Sequence, residues 1–490
     1  MKKPTRREFM AIAGAVALAP RELMGQDGDA VLEKRLATDP MRPQFHLLPA
    51  KNWMNDPNGP VYFNGSYHMF FQYNPHGPTW GDMSWNHAVS KDMMHWTHLP
   101  IALTPTPGSP DAFGCFSGSA VVVGKRVYMI YTGTAKSTPE LATLKDGSSN
   151  ILETQCLAYS DDPDLVRWTK LPEPVIPKTP PGMKETGFRD PSIWKQGEWY
   201  YMTVGSGEER VGGCVLLYRS KDLKAWEYMH QLTSGVWNGK LTPNPCDDGE
   251  MWECPDFFAL DGGHVLIYST LGKVFWQSGT LDEKTMKFKP LKTGLLDFDA
   301  FYAPKTQLDA RGRRILWGWI PERRSDDEMK KAGWSGMMSL PRVMNLDKDG
   351  SLRLTMLPEL TTLRGAAAKA IPMACGEFLC ESDKDFDVVL KKSGDGRELL
   401  RASYSAATRK LTVDGHEVSV AAGQGAHLHG YVDGSVIDLI VNKSVGCTKR
   451  FYYEKGVAPD VAVEVSHGAA AEVWGIKPIS GNRLTTPARG

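Results

Sequence analysis

The sequence predicts an all-β protein, a five-bladed β-propeller followed by a C-terminal β-sandwich, and three observations lead there. One pattern recurs along the chain: Ser90-Lys91-Asp92-Met93-Met94-His95-Trp96, then Ser160-Asp161-Asp162-Pro163 running on to Trp168, then Ser220-Lys221-Asp222-Leu223-Lys224-Ala225-Trp226, with a weaker copy from Ser278 through Phe288. The first three each read as a strand ending in Ser, an acidic turn and a Trp opening the next strand, with a period near sixty residues. The intervals hold short apolar stretches such as Val127-Tyr128-Met129-Ile130-Tyr131 and Trp199-Tyr200-Tyr201-Met202-Thr203-Val204 between Gly and Asp turns. Stacked four-stranded blades produce that pattern, and five of them fit between Phe45 and Arg342. Beyond Arg342 the texture changes to alternating strands, among them Asp387-Val388-Val389-Leu390, Lys410-Leu411-Thr412-Val413 and Val436-Ile437-Asp438-Leu439-Ile440-Val441, which fit a modest sandwich.

The chain opens with a targeting pattern. Lys2, Lys3, Arg6 and Arg7 precede the apolar run Met10 to Ala19, and Ala17-Leu18-Ala19 resembles a cleavage signal. Thr5-Arg6-Arg7-Glu8-Phe9-Met10 has the twin-arginine form, so residues 1–30 are expected to be an export signal and the mature chain periplasmic or secreted. The apolar run is too short for a permanent membrane span, with an uncleaved anchor as the alternative. The propeller is expected over 40–345, a linker over 346–365 with Leu352-Arg353-Leu354-Thr355-Met356 leading into it, and the sandwich over 366–485.

Composition narrows the function. Of 490 residues, 57 are basic and 57 acidic, so the formal charge is zero and nothing marks nucleic acid or an anionic membrane as partner. Fifteen Trp and sixteen Tyr, many beside Gly, Asn and Asp, suit an all-β protein with a carbohydrate-like ligand. The eight Cys form no C-x-x-C pair; Cys375 and Cys380 are the expected local disulfide. No His or Cys spacing fits zinc, and His95 and His98 are expected to pack or face solvent.

The chemistry-bearing stretch is Trp53-Met54-Asn55-Asp56-Pro57-Asn58-Gly59, a carboxylate among turn formers at the expected end of a strand. Phe188-Arg189-Asp190-Pro191 sets a cation beside an acid, Met251-Trp252-Glu253-Cys254-Pro255-Asp256 sets a glutamate among apolar neighbours, and Cys115-Phe116-Ser117-Gly118-Ser119 is a small polar strand start. The repeat places Asp56, Asp190 and Glu253 on the first strand of their blades, which in a propeller lines the central channel. Two carboxylates in unlike environments are what glycosidic cleavage needs. Asp56, among amides, suits the ionised role. Glu253, beside Trp252, Cys254 and Phe257, is expected to be desolvated and to serve as the acid. Asp190, next to Arg189, is expected to stay ionised and to grip sugar hydroxyls. Read singly, each carboxylate is as easily explained as an ion pair, turn or cap.

Together these segments resemble glycoside hydrolase family 32, the invertase, levanase and inulinase group. The resemblance runs from about Pro43 to Arg342 and includes Tyr67-His68-Met69-Phe70-Phe71-Gln72-Tyr73-Asn74-Pro75, Thr79-Trp80-Gly81, Phe301-Tyr302-Ala303 and Trp334-Ser335-Gly336 through Leu340-Pro341-Arg342. More weakly, Tyr431-Val432-Asp433-Gly434-Ser435-Val436-Ile437-Asp438 matches the family's second domain. The resemblance implies a propeller catalytic domain, a β-sandwich and retaining double displacement at a β-linked fructofuranoside. It implies Asp56 as nucleophile, Glu253 as acid/base and Asp190 as transition-state stabiliser. Asn55, Gln72, Trp80, Phe116, Ser117 and Arg189 match positions around the fructose ring, Trp80 as an apolar wall. In a retaining enzyme the nucleophile and acid carboxyls stand about 5–5.5 Å apart.

Asp82, Asn86 and the loop Lys136 to Leu152 depart from the family pattern and leave substrate length open; the Cys115 and Glu253 stretches look more like sucrose-cleaving bacterial members. The expected substrate is sucrose or a short fructo-oligosaccharide, with no metal or organic cofactor. Fructosyl transfer is the alternative within enzymes, and a non-catalytic fructan-binding propeller the alternative outside them.

Overall fold

The computed structural model describes residues 26–485 apart from 145–149, 455 and 468, so all but the end of the expected signal segment lies outside the described residues. Five sheets follow one another along the chain. Blade 1 runs outward from Asn52–Phe63 through Ser66–Asn74 and Ser84–Ser90 to Trp96–Leu103. Blade 2 comprises Gly114–Val123, Arg126–Lys136, Ile151–Ser160 and Thr169–Lys170. Glu185–Gln196, Trp199–Glu208, Gly212–Ser220 and Glu227–Ser234 make blade 3. Blade 4 holds Glu253–Leu260, Gly263–Thr270, Lys273–Asp282 and Lys287–Leu295, and blade 5 holds Tyr302–Leu308, Arg314–Ile320, Arg342–Leu346 and Leu352–Met356. The last of these, expected to lead into a linker, is the outermost strand of blade 5 and pairs with Arg342–Leu346 in register. Among the described residues no helix is long and apolar enough to cross a membrane.

The first strand of each blade is innermost, and each packs against the first strand of the next, closing a ring. Polar bonds tie the ring together. Gly118 N–H donates to Asn58 Oδ1, Ile193 N–H to Ser119 Oγ, Ser192 Oγ to Asp256 Oδ1, and Thr306 N–H to Asp256 Oδ2. Between the second and third strands of blade 5, Trp334–Ser335 pairs in parallel with Asn52–Trp53, so blade 5 clasps blade 1.

The recurring Ser-x-Asp…Trp segments build one turn three times. Asp92 accepts from the N–H of Met94 and His95 at 2.9 and 2.8 Å, and Asp222 from Lys224 and Ala225 at 2.9 Å each. Met93, Leu165 and Leu223 take left-handed backbone (φ 65°, 54° and 66°), and their carbonyls accept from the indole N–H of Trp96, Trp168 and Trp226. The anchored rings reach back to the preceding blade: Trp96 lies edge-on to Trp317 of blade 5 at 5.7 Å, Trp168 to Phe70 of blade 1 at 5.6 Å, and Trp226 packs against the cluster that holds Ile130 and Leu157 of blade 2. His95 is exposed and bonded to Asp92, while His98 is buried against the Leu48 carbonyl.

Two six-stranded sheets form the sandwich, with Phe378, Leu400, Leu428 and Ile437 in its core. The expected Cys375–Cys380 disulfide is not there. Both thiols are free and buried, and both lie on the strand Cys375–Ser382. Five residues along a strand put the side chains on opposite faces, roughly 16 Å apart.

A buried charge network joins sandwich to propeller. Asp433 accepts from the N–H of Phe45 and His46 and pairs with His46 Nδ1 at 2.7 Å. Arg342 bridges Asp297 of the propeller (3.0 Å) and Asp438 of the sandwich (2.8 Å), with its guanidinium over the Phe301 ring. Burial works to lower the His46 pKa, but its bonds to Asp433 and Asp438 hold it above the ordinary 6.5. A raised folded-state pKa stabilises fully below the unfolded value and fades as pH climbs through the folded one. His46→Gln is therefore expected to cost about 3–5 kcal/mol below pH 6.5 and less at alkaline pH. Denaturant titrations at several pH values check this, and a deficit that grows with pH contradicts it.

Candidate active site

All five inner strands carry a break in register at the same height. The breaks fall between Met54 and Pro57, Phe116 and Gly118, Arg189 and Ser192, Glu253 and Asp256, and Tyr302 and Lys305. In four of them a proline follows the functional residues: Pro57, Pro191, Pro255 and Pro304. At these residues an innermost strand is bonded to its sheet on one side only, so a residue without an N–H costs little there. The bulge turns the preceding side chains off the pleat toward the axis. Asp190, Cys254 and Ala303 pay with left-handed φ of 65°, 50° and 49°. In blade 2 Gly118 stands at the bulge, where an added Cβ would lie 2.0 Å from the Ile130 carbonyl oxygen. Asp56 thus sits inside a twelve-residue strand at a bulge, not in a turn at a strand end.

Asp56, Asp190 and Glu253 come together here, each at most 3 % exposed. Asp56 Oδ1 accepts from Asn55 Nδ2 at 3.0 Å and Oδ2 from Ser117 Oγ at 2.6 Å; Asn55 is itself fixed by the Trp53 indole N–H at 2.7 Å. Asp190 Oδ2 accepts from the Cys254 N–H at 3.0 Å. The Cys254 thiol lies between the two aspartates, 3.3 Å from Asp190 Oδ2 and 3.6 Å from Asp56 Oδ2. Burial, then the two aspartates, pushes that thiol well above its usual range, so it is a neutral donor. No sequence signal named it beyond its place before Pro255.

Glu253 is buried as expected, but its partners differ from those expected. Its Oε1 accepts from Arg189 Nη2 and Nε at 3.0 and 3.2 Å, and its Oε2 from the Tyr302 hydroxyl at 2.8 Å. The apolar neighbours expected to desolvate it face away: Trp252 stacks on Tyr268 at 3.8 Å, and Phe257 packs on Trp194 and Phe288. Arg189 likewise turns from its neighbour in sequence; its Nε is 4.0 Å from Asp190 Oδ2, while Nη1 donates to Glu153 Oε1 at 2.9 Å. Asp190, expected to stay ionised beside Arg189, is instead pushed up to about 6. Burial outweighs the cation, and the charges of Glu253 and Asp56 add to it.

The remaining predicted residues line the same end of the ring. Gln72 is buried opposite the blade 1 bulge and donates to the Cys115 carbonyl at 3.4 Å. Phe116 is buried, and the half-buried Trp80 meets it edge-on at 6.0 Å. Sequence reasoning missed Tyr302, Glu153 and Lys305. Tyr302-Ala303-Pro304 could have been aligned with Glu253-Cys254-Pro255, whereas Glu153 stands mid-strand with no such mark. Among the described residues no group of three or more His, Cys, Asp or Glu is arranged to hold a metal.

Fold and site define a propeller that carries clustered carboxylates on its axis, backed by a sandwich. A model for the glycosyl hydrolases family 32 N-terminal domain matches residues 46–358, and the chain belongs to that family. The chain is 31% identical over 472 residues to a sucrose-6-phosphate hydrolase of Escherichia coli, covering 87% of this chain and 92% of that one. It is 34% identical over 405 residues to an acid β-fructofuranosidase of Phaseolus vulgaris, a match covering 74% of this chain and 58% of that enzyme's length. A solved mutant of a Bombyx mori family 32 β-fructofuranosidase in complex with sucrose superposes with a TM-score of 0.77 at 27% identity, covering 94% of this chain and 99% of that one.

The raised Asp190 pKa gives a direct expectation: in infrared difference spectra a carboxylic-acid carbonyl band titrates with a midpoint about 6 and vanishes in Asp190→Asn. Persistence of the band in that variant would assign it elsewhere.

Proposed function

We propose that the protein is an exported β-fructofuranosidase that cleaves terminal β-D-fructofuranosyl linkages, of sucrose and short fructo-oligosaccharides, with retention of configuration. One observation carries the reading: Asp56 and Glu253 share one buried pocket but not one kind of partner. Asp56 accepts from an amide and a hydroxyl, whereas Glu253 is held by a phenol and a guanidinium. The named relatives and the sucrose complex of the silkworm enzyme support the substrate class.

In the first step an Asp56 oxygen attacks the anomeric carbon of the fructosyl unit while Glu253 gives its proton to the leaving oxygen. The glucose moiety of sucrose departs as an alcohol, leaving a fructosyl ester on Asp56. In the second step Glu253, now a carboxylate, takes a proton from water as its oxygen attacks the same carbon, which frees fructose and restores both groups. Asn55 and Ser117 orient the attacking carboxylate. Asp190, titrating near 6, both donates to and accepts from sugar hydroxyls close to its midpoint. Trp80 and Phe116 offer apolar faces to the ring, and Gln72 and Arg189 polar ones.

The test is sucrose turnover followed by NMR, with equal glucose and fructose and β-fructofuranose as the first-formed anomer. Glu253→Gln is expected to lower kcat by about 10²–10⁴-fold and Asp56→Asn by about 10⁴-fold or more. Undiminished hydrolysis by Asp56→Asn, or an inverted anomer, would overturn the mechanism. The export reading rests on Arg6 and Arg7. Replacing both by Lys is expected to leave the protein in the cytoplasm, and unchanged export contradicts it.

A further inference from the structure

Glu153 has no part in the chemistry just described, yet it is wholly buried, on the third strand of blade 2, within reach of the catalytic cluster. Its Oε2 accepts from the Phe188 N–H at 2.7 Å and from Thr143 Oγ1 at 3.2 Å, and its Oε1 accepts from Arg189 Nη1 at 2.9 Å. The opposite edge of that guanidinium, Nε and Nη2, grips Glu253 Oε1. One buried cation is therefore shared between two carboxylates from different blades.

The sharing matters because the proposed role of Glu253 demands a proton. A guanidinium fully committed to Glu253 would favour its ionised form, against what a proton donor needs. We infer that Glu153 is a positioning residue for the acid: it holds Arg189 by its far edge, divides the guanidinium's charge, and so keeps Glu253 able to carry the proton it donates. The inference rests on the reading of Glu253 as the acid. It also explains why Arg189 turns away from Asp190, since Glu153 and the Cys246 thiol, 3.2 Å from Nη2, fix its plane.

Among the described residues the charged and titratable groups packed around this pair are few. Blade 3 supplies Arg189 and Asp190, blade 5 Tyr302 and Lys305, blade 1 Asp56, and the connection into blade 4 Cys246, while Cys254 lies on the strand of Glu253 itself. Lys305 is buried too, but its ammonium donates to the Pro255 carbonyl at 2.8 Å and belongs to the Asp190 side. Glu153 is the carboxylate that meets Arg189 from outside the pocket, so neutralising it removes a negative charge without touching the sugar site.

The experiment is the pH profile of kcat/KM on sucrose for the full chain, Glu153→Gln and Glu153→Asp, with thermal melts of all three. Glu153→Gln is expected to move the alkaline limb, which reports the acid, downward by about one pH unit. The acid limb and the KM at low pH stay near those of the parent. Glu153→Asp, which keeps the charge, is expected to restore most of the limb. Thr143→Val strips a donor from Glu153 but leaves its charge, and so moves the limb the other way; this holds the test open if Glu153→Gln does not fold. A uniform loss of kcat/KM with no displaced limb, or equal displacement by Gln and Asp, would overturn the inference. Absence of sucrose hydrolysis in the parent chain would instead strike the functional reading beneath it.

Discussion

At its bulge the innermost strand of each propeller blade is bonded to its sheet along one side only, and the active site depends on that asymmetry. A central strand would lose a ladder bond to each proline and could not absorb an extra residue without disturbing both neighbours. Here Pro57, Pro191, Pro255 and Pro304 sit where little is lost, and each bulge aims two consecutive side chains at the axis: Asn55 and Asp56, Arg189 and Asp190, Glu253 and Cys254, Tyr302 and Ala303. The strained backbone at Asp190, Cys254 and Ala303 is held by the surrounding ring, which the interblade bonds and the Trp334–Ser335 clasp keep closed. Alignment of the carboxylates from separate blades is then a property of the ring, not of any loop.

That convergence has an electrostatic consequence. Among the described residues, Asp56, Asp190, Glu253 and Glu153 lie buried around two buried cations, Arg189 and Lys305. Taking so many charges out of water is unfavourable unless each finds partners, and an excess of carboxylates over cations favours retention of a proton in the cluster. The raised Asp190 carboxyl is one sign of it. Among the described residues the sandwich contributes no group to this cluster. Its Asp433 and Asp438 instead anchor His46, which leads into the first blade, and Arg342, which lies over Phe301. Its part is to hold the ends of the ring in place.

Much of this was legible in the sequence, and the misses share one cause. The Ser-x-Asp…Trp repeat gave the blades because one turn chemistry recurs, with the indole bonded to the carbonyl three residues back. Asp56, Asp190 and Glu253 stood out as acids one or two residues ahead of a proline, a pattern read from sequence as a turn and shown by the structure to be a bulge on an inner strand. The errors came from treating neighbours in sequence as neighbours in space. Trp252 stacks on Tyr268 and leaves Glu253 to Tyr302 and Arg189, while at the blade 3 bulge Arg189 and Asp190 turn to the axis together but take different partners, Glu153 and Cys254. On the regular strand Cys375–Ser382 successive residues face opposite ways, which excludes a bridge between Cys375 and Cys380. Glu153 was invisible because only the sheet register, which sets Thr134 opposite it, decides where it points.

The most direct measurement of the central claim, that carboxylates from separate blades divide nucleophile and acid between them, is to trap the intermediate. Glu253→Gln would be mixed with β-D-fructofuranosyl fluoride, whose leaving group needs no proton, and the digested protein mapped by mass spectrometry. The account predicts one fructosyl unit on the peptide containing Asp56, at that residue. A fructosyl unit on Asp190, or turnover of the fluoride with none attached, would contradict it.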